Sequence, residues 1–376
     1  MTHWILYGMP GSLYTAKARS YLRKQGLPVE ERAPGDRRFT TEIIPVTGRW
    51  IVPVMQTPAG EIVQDGTDII DYVEQAGLAT RSAYPADPVA RVIALIFELF
   101  GGEGLLRPAM HYRWNFDADN LPFLERDFVN TLFPGADAET RAGVFARSSG
   151  LMRKAAAGFG VTPDSFAAVE ASYLDFLARL DAHLAVHPYL LGNDPSLGDY
   201  GLIAPLHAHL SRDPHPSLLM KRHALHVWRW VERMTTRDDD AAEFLAQPAP
   251  AVPAMASPTL AALLAFIAED YLPEVEAMTA WLNAWLAEQP ADRLAGPMDR
   301  TVGRMTFPWR GLELTVMVMP YRIWLLQRVQ DAADALSPAD RQALDALLAP
   351  AGLAPLLIAR VTRRVERRDQ REWWAA

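Results

Sequence analysis

In the first 77 residues of this 376-residue chain, strand and helix signals alternate, and beyond them the strand signals stop. Trp4-Ile5-Leu6-Tyr7 reads as a short buried strand, and Gly8, Pro10 and Gly11 then break the chain. Ser12 stands as an N-cap before a helix from Leu13 to Gln25, which Gly26 stops. Val29 to Arg32 is a second strand and Thr40 to Val46 a short helix. Ile51 to Gln56 and Glu61 to Gln64 are strands joined through Thr57-Pro58-Ala59-Gly60. Thr67 to Gln75 is helical, with Ile69, Ile70, Tyr72 and Val73 on or near one face. The order is β-α-β-α-β-β-α, which describes a small α/β domain.

From Asp87 onward the chain reads as helix and loop, over 87–105, 119–132, 138–157, 162–186, 196–210 and 217–236. Residues 237–258 are acidic and then Pro/Ala-rich, a linker composition. Residues 259–289, 312–336, 338–349 and 351–372 read as four more helices. The expected organisation is three parts: 1–80, 86–240 and 250–376. A net charge of −8 disfavours a nucleic-acid partner, since a phosphate backbone rewards excess Lys and Arg. With no cysteine, disulfides, thiolate metal sites and a cysteine nucleophile are excluded. The most apolar run, Leu312 to Val329, is interrupted by Pro320, Arg322 and Gln327, so no transmembrane segment is expected. The first residues lack a basic region followed by a long apolar core, and the expected location is cytoplasmic.

Four local features recur in one order: the strand–loop–helix from Tyr7 to Lys17 with a hydroxyl at the helix start; Trp50-Ile51-Val52-Pro53-Val54, with a proline inside a strand-like run; the acidic turn Gln64-Asp65-Gly66-Thr67; and Tyr189 to Tyr200, where Ser196 and Asp199 form an N-cap and N3 pair. Together they resemble the glutathione transferase superfamily over roughly residues 3–236. The resemblance implies a thioredoxin-like domain followed by an all-helical glutathione-transferase domain. Here a further all-α region extends it, and the family pattern leaves residues 237–376 unexplained. It implies glutathione as co-substrate, a small electrophile as second substrate and an assembly that is usually dimeric, here a homodimer, while the histidine spacings, with no matching acidic ligand, predict no metal.

Carried over residue by residue, Val52 before a cis Pro53 would pair its main chain with the backbone of glutathione. Asp65, with the N–H groups of Gly66 and Thr67, would hold the γ-glutamyl end. Trp50, Arg37 or Arg38 would meet the glycyl end. Ser12 is the first candidate to activate the thiol and Tyr7 the second, with Tyr14 and Thr15 in the same turn. Gly66 departs from the family, which often has Ser there, and Thr67 is its expected substitute. His111-Tyr112-Arg113-Trp114 is the candidate acceptor-substrate cluster, with Arg113 fixing a carboxylate, and the bland alternative is packing. Ser196 and Asp199 read as a folding device, the scattered histidines as ordinary residues, and the Arg-rich tail 360–371 as a solvated helix closing the extra region. The expected function is a glutathione-dependent transferase acting on an electrophilic, aromatic or anionic substrate. The alternative is a non-catalytic transferase-like scaffold or adduct-binding protein.

Overall fold

The computed structural model describes residues 3–133, 135–238, 241–245 and 252–375. The first domain is built from β1 (Trp4–Tyr7), α1 (Leu13–Lys24), β2 (Val29–Arg32), a π-helical turn (Phe39–Ile43), α2 (Ile44–Thr47), β3 (Val54–Gln56), β4 (Ile62–Gln64) and α3 (Gly66–Gln75). Its sheet has the order β2-β1-β3-β4, with β1 parallel to β2 and antiparallel to β3, and β4 antiparallel to β3. This is a thioredoxin-like arrangement in the order the sequence signals.

Strand alternation assigns the two faces. Leu6, Met55 and Val63 join the core shared with α1 and α3, whereas Ile5, Tyr7 and Val54 pack with Phe39 and Ile43 on the opposite face. The Ser12 side chain caps α1 by accepting from the Thr15 N–H at 3.3 Å. The Val52–Pro53 peptide is cis.

The helical domain contains α4 (Pro88–Leu99), α5 (Leu106–Trp114), α6 (Asp117–Leu132), α7 (Ala138–Gly158), α8 (Phe166–Leu184), α9 (Leu197–Ala208), α10 (Pro214–His223) and α11 (Leu225–Thr235). The chain just past α4 meets α9 backbone to backbone. A Cβ on Gly101 would lie 2.5 Å from the Gly201 carbonyl carbon, and one on Gly201 would lie 2.5 Å from the Glu98 Cα, so only glycine fits at this crossing. Ser196 and Asp199 form a complete capping box at the start of α9. The Asp199 carboxylate also accepts from the Leu190 N–H and the Trp230 indole N–H, both at 3.1 Å. That pair is therefore structural, as its spacing indicates.

The last third holds α12 (Ala242–Leu245), α13 (Pro258–Asp270), α14 (Leu272–Glu288), β5 (Gly303–Trp309), β6 (Leu312–Val318), α15 (Pro320–Asp334), α16 (Pro338–Leu348), β7 (Val365–Arg368) and β8 (Arg371–Trp374). Most of it is helical, but two antiparallel hairpins replace expected helix. The first covers the start of the 312–336 helix. Met305, Phe307 and Trp309 alternate with exposed neighbours and face Leu314, Val316 and Val318, a period of two that only a strand satisfies. The second replaces the 351–372 helix, turning at Asp369 and Gln370 with φ of 51° and 63°. Part of the Pro/Ala-rich linker, residues 246–251, lies outside the described residues. No described helix is long and apolar enough to cross a membrane.

The extension packs directly on the first two domains. A buried chain of charge runs from the Tyr14 hydroxyl to Glu103 (3.1 Å), from Glu103 to Arg322 (2.9 Å), on to Glu274, and from Glu274 to Arg107 (2.5 Å). Each carboxylate in it has a guanidinium partner, which is what makes such burial tolerable.

Candidate functional site

All three parts of the chain meet at a cavity of about 490 Å³, a volume typical of small-molecule sites. Ser12, Trp50, Val52, Gln64 and Asp65 line it from the first domain; Leu106, Met110, Arg113, Trp114 and Phe128 from the second; Arg300, Met317, Met319, Tyr321, Arg367 and Glu372 from the extension.

Val52 sits where β3 has not yet begun to pair. Its N–H and C=O take no hydrogen-bond partner among the described residues, although the residue is half-buried at the cavity wall. An unpaired backbone donor and acceptor beside a cavity is an edge to which an extended peptide can add. The next residue, Pro53, gives its carbonyl to the Asp65 N–H at 3.2 Å.

Asp65 has φ of 96°, a conformation unfavourable for a residue with a Cβ, and it caps α3. Its Oδ1 accepts from the Thr67 N–H at 2.8 Å and from the Tyr321 hydroxyl at 2.9 Å. Oδ2 accepts from no described residue, so the nearly buried carboxylate keeps capacity for a ligand cation at the cavity.

Gly66 has little room for a side chain. A Cβ would lie 3.1 Å from the Tyr14 carbonyl and 3.3 Å from the Lys17 side chain. Thr67 does not take over a ligand-binding hydroxyl as expected. Its Oγ1 accepts from Lys17 Nζ at 2.7 Å and donates to Glu98 at 3.1 Å, inside the core, and its N–H is committed to Asp65.

Ser12 lines the cavity. Its oxygen caps α1, which leaves its proton free to donate. The rival Tyr7 is misplaced for the chemistry: it shares the face of Ile5 and Val54, packs on Phe39 at 5.6 Å, and is not a cavity residue. Its buried hydroxyl has no partner among the described residues, and burial raises its pKa. Tyr14 lines the cavity, but its hydroxyl donates to Glu103, and burial with that neighbouring carboxylate holds it protonated. Thr15 is fully buried under Met9.

The four-residue acceptor cluster divides. His111 and Tyr112 are packing residues away from the cavity. His111 bonds Glu170 at 2.9 Å and Asn115 at 3.0 Å, and Tyr112 stacks on Phe116 at 5.2 Å. A helix cannot point four consecutive residues one way. Arg113 and Trp114 reach the cavity. Arg113 is not a free carboxylate receptor, because it grips Asp213 bidentately at 2.7 and 2.8 Å and donates to the Gly11 and Ala208 carbonyls at 2.7 Å. It therefore fixes the loop that presents Ser12.

Trp50 lines the cavity and packs on Phe39 at 5.7 Å. Arg37 and Arg38 do not line it; Arg38 pairs with Glu42 at 3.0 Å. Arg49 lines it instead, 3.4 Å from the Gln64 Oε1 and 3.8 Å from Glu372.

The sequence reading missed the contribution of the tail. The Gln370 side chain pairs with the outer edge of β4, accepting from the Gln64 N–H at 2.9 Å and donating to the Ile62 carbonyl at 3.2 Å. Arg367 pairs with Asp68 at 2.7 Å and with Glu372. Burial disfavours its charge, but Asp65, Asp68 and Glu372 outweigh burial and raise its pKa above the ordinary value. The alternation of Val365, Arg367 and Glu372, Trp374 around Asp369-Gln370 is the signal that marks this hairpin. No group of three or more metal-ligating side chains occurs among the described residues.

The thioredoxin-like domain thus brings a cis-proline segment, an open backbone edge and an acidic helix N-terminus together at one cavity. Residues 6–77 match the glutathione S-transferase N-terminal domain family. Among solved structures the chain is similar to the beta-etherase LigF from Sphingobium sp. strain SYK-6, with 20% identity, coverage of 64% of this chain and 97% of that one, and a TM-score of 0.44. The glutathione transferase GSTFuA3 from Phanerochaete chrysosporium is 15% identical, with coverage of 63% and 97% and a TM-score of 0.44. A glutathione S-transferase from Methylobacterium radiotolerans, solved with glutathione sulfonate, is 20% identical, with coverage of 63% and 92% and a TM-score of 0.37. No curated protein matches the sequence.

Proposed function

We propose that the chain is a glutathione-dependent transferase that binds the tripeptide across the first domain's wall of the cavity and delivers its thiolate to a small electrophile. The observation that carries this reading is the unpaired Val52 backbone, flanked in one cavity by Ser12 and by Asp65. In this reading the cysteinyl backbone pairs with Val52, the γ-glutamyl ammonium meets Asp65, and the sulfur lies at Ser12. The Ser12 hydroxyl donates to the sulfur and stabilises the thiolate, and the start of α1 adds a smaller favourable field. Arg113 acts as a positioning residue through Gly11. Attack forms a sulfur–carbon bond at the electrophilic carbon, and the electrons of the broken bond leave with the displaced group or remain on the adduct until it takes a proton.

Calorimetric titration of the full chain with glutathione tests the reading. The expected result is saturable binding that weakens roughly tenfold to a hundredfold in Asp65→Ala, the loss of one charge-assisted hydrogen bond. Absence of binding to the folded wild-type protein overturns it.

A further inference from the structure

The cavity's charge is unbalanced. Four arginines line it (Arg49, Arg113, Arg300 and Arg367) against two carboxylates, Asp65 and Glu372. Two of the arginines are accounted for, Arg113 by Asp213 at 2.7 Å and Arg367 by Asp68 at 2.7 Å and by Glu372, while Arg49 reaches Gln64, Gln370 and Glu372 but keeps a buried Nε with no partner among the described residues. Arg300 has no hydrogen bond or ion pair among the described residues. It is exposed, and it stands three residues before β5 in the segment that leads into the first hairpin. It lines the same cavity as Tyr14 and Arg49.

The neighbouring surface is apolar. Leu106, Met110, Trp114, Phe159, Met317 and Met319 line the same cavity, the last two following the segment that carries Arg300. Methionine and aromatic side chains adapt to flat apolar bodies. An unpaired guanidinium beside such a surface is a receptor for an anion attached to that body. In the transferase reading Val52 takes the cysteinyl backbone and Asp65 the γ-glutamyl end, and the unpartnered Arg49 Nε is available to the glycyl carboxylate, so Arg300 is left for the second ligand.

We infer that the acceptor is an apolar, ring-bearing molecule carrying a carboxylate, and that Arg300 pairs with this carboxylate. The word acceptor rests on the transferase reading; the anion site does not. A shape-matched pair of unreactive probes, 2-naphthoate and 2-naphthamide, separates the two. Both are titrated calorimetrically into the full chain, alone and with saturating glutathione, in the wild type and in Arg300→Gln and Arg300→Lys. Naphthoate is expected to bind about tenfold tighter than naphthamide, as one charge-assisted bond provides. Arg300→Gln is expected to erase the difference without weakening naphthamide or glutathione, and Arg300→Lys to keep part of it. Coincident thermal melts confirm that the exposed substitution leaves the fold intact.

Equal affinity of the two probes for the wild type overturns the inference. So does an Arg300→Gln effect on naphthamide as large as on naphthoate, and so does an effect confined to glutathione, which would assign Arg300 to the tripeptide's own carboxylate. Arg300-dependent naphthoate binding in a protein that binds no glutathione would uphold the anion site and sink the transferase reading.

Discussion

Replacing Ser12 with Ala removes two interactions whose sizes can be separated. As the α1 cap, the hydroxyl oxygen holds the Thr15 N–H at 3.3 Å, and its loss lowers stability by about 1 kcal/mol. As a donor into the cavity, the hydroxyl makes a hydrogen bond to a charged sulfur, worth about 1.5–3 kcal/mol. At about 1.4 kcal/mol per pKa unit, that lowers the bound thiol's pKa by roughly one to two units. Taking the ordinary thiol pKa of about 8.5 for the variant, the thiolate fraction at pH 7 in Ser12→Ala therefore falls about eightfold to twenty-five-fold. The assay is a pH titration of the thiolate ultraviolet absorbance of bound glutathione, with the spectrum of the protein alone subtracted. Ser12→Thr keeps both interactions and should titrate with the wild type. If Ser12→Ala loses the expected stability in a urea melt while the bound thiol titrates as in the wild type, Ser12 is a helix cap and nothing more.

Tyr7→Phe should leave glutathione affinity and turnover unchanged, because its ring lies on the far face of the sheet; removing a buried hydroxyl with no partner should raise stability by about 1 kcal/mol in a denaturant melt. Arg113→Met should cost about 3–5 kcal/mol by stranding buried Asp213, and adding Asp213→Leu should recover most of it, read from urea midpoints. Buried His183 bonds Thr259 and Leu190, and burial lowers its pKa from 6.5 to about 4. The unfolded chain then binds the extra proton between those values, so stability is full above about pH 6.5 and falls towards pH 4, by at most about 1.4 kcal/mol per pH unit for this group. His183→Gln should flatten that slope in melts taken across the window.

What the sequence made legible was local. The first sheet, the Ser12 cap, the proline beside Val52 and the Ser196–Asp199 capping box are each written within a few adjacent residues, and each appears where its pattern stands. Tyr7 was also readable, since strand alternation sets it with Ile5 and against Leu6, but a resemblance to tyrosine-using relatives pulled the other way. The His111–Trp114 cluster drew attention by its chemistry, whereas its helical period sends His111 and Tyr112 into packing. The hidden part was long-range. Arg367 meets Asp68, and Gln370 meets Gln64, across some 300 positions of chain, and no local rule connects them. The Arg-rich tail reads as a solvated helix until its alternation is matched to the turn at Asp369-Gln370.

The account stands or falls on where the tripeptide lies, and a crystal structure of the full chain with glutathione measures that directly. It should show the cysteinyl backbone paired with the Val52 N–H and C=O, the γ-glutamyl ammonium at Asp65, and the sulfur within hydrogen-bonding reach of the Ser12 oxygen. Glutathione bound elsewhere, or held in this cavity with its sulfur turned away from Ser12, would contradict it.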